Sequence, residues 1–171
     1  MSSDRLFIPP RIDSSTFEDI VYRKNRKPFS NLRKRRGSEV KVGDHIVINV
    51  AGACNGNGKS WAQSAVGVYF GPSSRHNFSE EIDEEPHTSN RAHIRAAITG
   101  LEKVKKLPDK DKLKTSVVVV VTHSQYVVDG ITKHIYKRYD NGWRNAKRTE
   151  VDNREDFQDW LMNWRVITTY L

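Results

Sequence analysis

The sequence predicts an α/β fold, a mixed five-stranded sheet with helices packed on it, and three observations predict it. First, two β-branched runs, Val47–Val50 and Ala65–Phe70, flank a cluster rich in Gly and Asn. Val, Ile and Tyr suit a pleated, half-buried surface and the Gly/Asn cluster breaks it, so the pair reads as antiparallel strands joined by a turn. Second, Val117–Val121 is five consecutive valines, an unbroken apolar run with no polar alternation. Such a run suits a central strand covered on both faces. Third, between and after these runs apolar residues recur at helical spacing, so strands alternate with helices in the later half of the chain.

From the N-terminus, residues 1–43 read as a basic arm and 44–171 as the folded domain. Pro9 and Pro10 make an extended start, and Ser15-Thr16-Phe17-Glu18 has capping-box spacing, which places Phe17, Ile20 and Val21 on one face of a short helix. From Arg23 to Lys41 there are nine Lys/Arg against one acid, Glu39, which equals the chain's whole formal excess of +8. Arg23-Lys24 and Arg33-Lys34-Arg35-Arg36 resemble nuclear-import or nucleic-acid patches, although such runs also occur as solvated tails. Pro28 and Gly37 argue against one continuous helix through them.

In the domain, the first two strands are followed by a third over Asn77–Pro86, running into the acids Glu80, Glu81, Asp83, Glu84 and Glu85. Ser89–Lys106 reads as a helix because Ala92, Ala96, Ala97, Leu101 and Val104 share a face. Lys105 and Lys106 sit at its end, where the dipole favours cations, and Pro108 stops it. A strand over Thr115–Thr122 follows. Ser124 is an N-cap for a helix whose apolar positions are Tyr126, Val127, Ile131 and Ile135. Asp140-Asn141-Gly142 is a turn, Asn153 opens a helix with Phe157, Trp160, Leu161 and Trp164, and Arg165–Tyr170 is the last strand. The order is β-β-β-α-β-α-α-β.

Length and composition bound the function. A chain of 171 residues holds one domain with a real core. A pI near 9.6 points to a polyanion, nucleic acid being the usual one, with a solubilising surface as the plain alternative. The single cysteine, Cys54, cannot form an internal disulfide, which predicts a reducing, intracellular setting, nuclear or cytoplasmic. No apolar run is long enough for a membrane span, and Met1–Ile12 lacks a signal-peptide core, so no membrane partner is expected.

Several segments resemble one family in order and interval. Ala51-Gly52-Ala53-Cys54 followed by Gly56-Asn57-Gly58 resembles the opening of the type 1 (cellular) ribonuclease H family, where the strand ends in Asp-Gly-Ser/Ala-Cys before a Gly-Asn-Gly turn. Thr88-Ser89-Asn90-Arg91-Ala92-His93 is similar to that family's Thr-Asn-Gln/Asn-Arg-x-Glu, and Thr122-His123-Ser124-Gln125-Tyr126-Val127 to its Thr-Asp-Ser-Gln-Tyr-Val. Gly130-Ile131-Thr132, Asn141-Gly142-Trp143 and Asn153-Arg154-Glu155-Asp156-Phe157 match later landmarks. The resemblance runs from about Val47 to the C-terminus and implies a ribonuclease H-like fold.

It also implies a chemistry and its loss. The family cleaves the RNA strand of RNA–DNA hybrids with two divalent ions held by carboxylates. The matching positions are Ala51, His93 and His123, and the fourth carboxylate lies past the family's last strand, where this chain is expected to lack it, together with the C-terminal helix. Alanine offers no ligand, and a neutral imidazole offers one lone pair and no charge, so the Mg²⁺ site is expected to be absent. Zn²⁺ accepts imidazole, but a stable site needs three or four protein ligands; Cys54 lies past the site and His87 is on a loop, so no zinc is expected at His93 and His123.

The resemblance leaves binding groups in place. Asn57 and Asn90 match amides that contact RNA, Thr88 and Asn153 match two members of a DNA-phosphate pocket, and Ser124 and Gln125 flank the old catalytic position. Amides and hydroxyls suit a 2′-OH, which is donor and acceptor at once. A basic protrusion survives as Lys133, Lys137, Arg138, Arg144, Lys147 and Arg148, with Trp143 as contact or core. The pocket's arginine is Pro86, its helix asparagine Ser89, and the tryptophan that supports the DNA strand is His134. The expected function is a catalytically inactive ribonuclease H-like protein that binds RNA–DNA hybrid or structured RNA. The alternatives are a protein-interaction scaffold with a vestigial groove, and an active metal-dependent hybrid endoribonuclease. Without the family's C-terminal helix, the second face of the sheet needs a cover: the helix near Phe17, a protein partner, or a second copy.

Overall fold

The computed structural model describes residues 30–31, 44–71, 74–107, 118–163 and 166–170. Its elements are β1 (Asp44–Asn55), β2 (Gln63–Tyr69), β3 (Phe78–Ile82), α1 (Ser89–Lys105), β4 (Val118–Thr122), α2 (Gln125–Asp129), a π-helical turn (Gly130–His134), α3 (Ile135–Asp140), α4 (Arg154–Asn163) and β5 (Val166–Tyr170). The expected helix capped by Ser124 is the run α2, π-turn and α3, continuous in sequence. Its irregular middle coincides with Thr132, whose Oγ1 donates to the Val128 carbonyl at 2.7 Å, a back-bond that competes with the helix ladder. The expected helix over Phe17–Val21 and the basic block Arg33–Arg36 lie outside the described residues.

The sheet order is β3-β2-β1-β4-β5, and a two-residue strand, Ser30–Asn31, pairs with the start of β1. The β1–β2 and β2–β3 pairs are antiparallel, while β1–β4 and β4–β5 are parallel. β1 is longer than its β-branched run suggests. It continues through Gly52 and Cys54 to Asn55, whose partner is Gln63, because β2 pairs with it along its whole length.

One face of the sheet carries the core. Ile48 and Val50 of β1, Val66 and Val68 of β2, and Val118 and Val120 of β4 pack with Ile94 and Leu101 of α1 and with Ile131, Ile135, Phe157 and Trp160. On the other face Val47, Val119 and Val121 are just as buried, so the valine strand is covered on both sides, as its composition requires. β3 is the outer strand beside β2, with Ser79, Glu80 and Glu81 exposed, and charge on an edge strand discourages further pairing.

Candidate nucleic-acid interface

The site is positioned by one close approach. A Cβ at Gly52 of β1 would stand 2.2 Å from the Ala92 carbonyl carbon and 2.3 Å from the His93 nitrogen. Only glycine lets the first turn of α1 rest on the strand. That contact brings His93 to β1, where the Gly52 N–H donates to its Nδ1 at 3.1 Å. The parallel register pairs Val50 with Thr122, so the next residues on the two strands, Ala51 and His123, come out side by side. Ala51, His93 and His123 thus converge just past the end of β4, as the resemblance implies.

The Gly52 bond decides the state of His93. A backbone N–H can only donate, so Nδ1 accepts and the neutral ring carries its proton on Nε2. Neither ring nitrogen then has a free lone pair. Burial, and after it the nearby His123, holds the His93 pKa below its ordinary 6.5. A base whose native pKa is lowered adds stability that is complete above the unfolded value and is lost as pH falls through the native one. The wild-type chain is therefore expected to lose more unfolding free energy than His93→Gln between about pH 7 and about pH 5, since glutamine can accept the same N–H without titrating. Denaturant unfolding at several pH values reads this, and parallel profiles would remove His93 as the cause.

Mg²⁺ takes oxygen ligands, and a two-ion clamp needs carboxylates that can bridge. Ala51 has no donor, the Nδ1 of His93 is engaged, and among the described residues no three His, Cys, Asp or Glu side chains come together as a metal site. The donor set does not fit a pair of Mg²⁺ ions. On the second face beside these residues lies an open cavity of about 500 Å³, lined in part by Asn49, Ala51, Gly67, Tyr69, Ser79 and His123.

The expected binding groups divide by what their atoms already do. Asn57, exposed on the β1–β2 turn, accepts the Ser89 N–H at 2.9 Å through Oδ1, which fixes the turn to the start of α1 and leaves its amide NH₂ outward. Thr88 is the N-cap of α1 and accepts from the Arg91 nitrogen at 3.2 Å, so its hydroxyl proton remains to donate. Asn90 is exposed next to it. Asn153, at φ 56°, gives an Nδ2 hydrogen bond to Tyr126 Oη at 3.1 Å and has one amide N–H left. Gln125 donates to Asp129 at 2.8 Å. Lys137, Arg144, Lys147 and Arg148 are exposed on α3 and the loop after it, where Asn141 and Asn145 hold the backbone by side-chain bonds.

Packing takes other candidates out of the interface: Trp143 follows its core reading and Ser124 its N-cap reading, while Arg138 and Lys133 are corrected. Trp143 is core, 4% exposed, because the left-handed turn at Gly142 and Trp143 folds its ring inward. Ser124 is buried, 7% exposed, and caps α2 through the Val127 N–H. Arg138 lies over the Phe157 ring at 5.0 Å with one guanidinium nitrogen buried, so it acts as a structural cation. The charge of Lys133 is met by Asp129 at 2.7 Å, and that hydrogen bond, ahead of the Gln125 bond, holds the Asp129 carboxyl below the usual range. Sequence reasoning missed Asp156, a buried acid paired with Arg91 at 3.1 Å and Arg95 at 3.7 Å, which ties the first turn of α4 to α1. Its signals are a place in the matched Asn153–Phe157 segment and in a helix first turn, and neither tells a buried acid from an exposed one.

A mixed sheet in this order, with its candidate site at Ala51 within β1, just past the end of β4 and beside the start of α1, is a ribonuclease H-like fold. The RNase H family model matches residues 44–168, and the chain belongs to that family. It is 33% identical to human Ribonuclease H1 over 116 residues, covering 68% of this chain and 38% of that one, and 30% identical to the rat Ribonuclease H1 over 118 residues, covering 69% and 39%. The chain thus spans about two fifths of the mammalian relatives. A Ribonuclease H of Afipia carboxidovorans is 34% identical over 116 residues, covering 67% of this chain and 68% of that one. Among solved structures, the foamy viral protease-reverse transcriptase in complex with RNA/DNA hybrid aligns at TM-score 0.57 and 19% identity, over 73% of this chain and 17% of that one. A type 1 RNase H with the type 2 active-site motif aligns at TM-score 0.52 and 21% identity, over 73% and 62%.

Proposed function

We propose that the chain binds nucleic acid, RNA–DNA hybrid or structured RNA, and does not cut it. The observation that carries this reading is the bond from the Gly52 N–H to His93 Nδ1, beside an alanine at position 51. It occupies with imidazole and backbone the place where two-ion cleavage needs bridging oxygens. Family membership, and a structural neighbour seen with an RNA/DNA hybrid, support the ligand class.

Binding falls to the outward NH₂ of Asn57, the Thr88 hydroxyl, Asn90, Asn153, and the cations Lys137, Arg144 and Lys147, with Arg33, Lys34, Arg35 and Arg36 of the arm adding charge. Amides that donate can take a 2′-OH or a phosphate oxygen, and the cations supply the sequence-independent part. The exposed acids Glu80, Glu81, Asp83, Glu84 and Glu85 repel a backbone on the β3 side and steer the duplex away from it. The basic blocks favour a nuclear location.

Fluorescence anisotropy of an RNA–DNA hybrid beside duplex DNA and duplex RNA, with Mg²⁺ present and the probe checked for cuts, tests the reading. Hybrid is expected to bind best and remain intact, with a log–log salt slope of roughly 0.7–0.9 per neutralised phosphate. A cut probe would overturn the inactivity, and no binding at moderate salt would overturn the binder in favour of a protein-interaction scaffold.

A further inference from the structure

Among the described residues, the largest exposed apolar side chain lies on the turn that carries Asn57. Trp61 is 62% exposed, while Trp143 and Trp160 are buried. It is seated all the same. Gly56 has φ +66°, and a Cβ there would stand 2.2 Å from the Trp61 ring, so the benzo part of the indole rests on glycine backbone. The seat is stiff. The Lys59 N–H bonds the Gly56 carbonyl at 2.8 Å and the Ala62 N–H bonds the Lys59 carbonyl at 3.1 Å. On one side the turn is held to α1 by the Asn57–Ser89 bond, and on the other Ser64 meets His87 Nδ1 at 2.8 Å. An indole held this way forgoes burial and loses little freedom on binding, the condition under which an aromatic surface adds affinity. Lys59, exposed two residues away, adds a positive charge beside it.

We propose that Trp61 is a stacking platform for an unpaired nucleobase, with Lys59 meeting that nucleotide's phosphate, so that the chain favours a hybrid with a single-stranded extension over a blunt one. The inference rests on the nucleic-acid reading above and deepens it. Every base has a π-face, so the platform selects strand form rather than sequence. A duplex end whose sugar edge meets the outward NH₂ of Asn57 has its next nucleotide within reach of the indole, since both belong to one short turn.

The test compares the full chain with Trp61→Ala and Trp61→Phe on two labelled RNA–DNA hybrids, one blunt and one with an extension of about four nucleotides, tried on either strand and at either end. In the wild type the extension is expected to tighten binding about tenfold. Trp61→Ala should lose that gain and keep the blunt affinity, and Trp61→Phe should keep most of it. Indole emission should fall on adding unlabelled extended hybrid to the wild type, and this drop should be absent in Trp61→Phe. Equal wild-type affinity for the two probes, or a gain that persists in Trp61→Ala, overturns the platform and leaves the binding reading intact. A wild type that binds neither probe overturns both.

Discussion

Gly52→Ala is expected to destabilise the chain by about 3 kcal/mol or more and to abolish hybrid binding at the temperature where the wild type binds. The added carbon would stand 2.2–2.4 Å from three backbone atoms of Ala92 and His93. Backbone cannot rotate out of the way, so α1 must move off the strand by about 1 Å to restore ordinary contact. Overpacking typically costs about 1–3 kcal/mol, and a rigid obstacle belongs at or beyond the upper end. The shift also stretches the Gly52–His93 bond and loosens Ala92, Ile94, Ala96 and Leu101, all buried on α1. Against a total stability of roughly 5–15 kcal/mol this leaves a marginal fold. Gly67→Ala on the neighbouring strand is the control. Its Cβ would meet only the Ala51 carbonyl oxygen, at 3.8 Å, and the change should be close to neutral. Urea unfolding of the two variants reads the difference, and a Gly52→Ala within about 1 kcal/mol of wild type would show that α1 can adjust at little cost.

The contrast between those two glycines marks what is legible in the sequence and what is not. Gly67 stands within an apolar run and Gly52 just past one, and strand pattern alone does not say which faces a helix at contact distance. Element order was legible because it rests on period: the alternation in Gln63–Tyr69, the valines of β4 and the alanine face of α1 each belong to one segment. The meeting of Ala51, His93 and His123 was legible through segment matches. The proton position on His93 was not, because it depends on a backbone N–H 41 residues away. Nor does composition sort cations by role. Lys133, Arg138 and Lys137 lie within six positions of each other, yet one is ion-paired, one stacks on a ring and one is exposed. Their fates follow from Asp129 one helical turn away and from α4 packing Phe157 under α3, and only the first has a local signal.

Arg91→Ala is expected to cost about 3 kcal/mol, though Arg91 is neither in the hydrophobic core nor at the two histidines. Its Nε meets Asp156 at 3.1 Å, and one terminal nitrogen donates to the Glu84 and Pro86 carbonyls at 2.6 and 3.3 Å. One side chain thus joins the first turn of α1, the loop after β3 and the first turn of α4. Removing it leaves the Asp156 carboxylate, 8% exposed, with Arg95 at 3.7 Å as its remaining ion-pair contact. Truncating one partner of a buried pair typically costs about 3–5 kcal/mol, mostly because the other charge stays buried, and Arg95 places this case at the lower end. Arg91→Met with Asp156→Leu should recover most of the loss, since two apolar residues of similar size leave no charge behind. The same break frees Thr88 and Asn153, which flank the tie on either helix, so hybrid binding should weaken in Arg91→Ala even where the fold survives. A double variant as unstable as Arg91→Ala would assign the effect to lost packing or to the two carbonyls rather than to the buried carboxylate, and a thermodynamic cycle built on denaturant unfolding separates them.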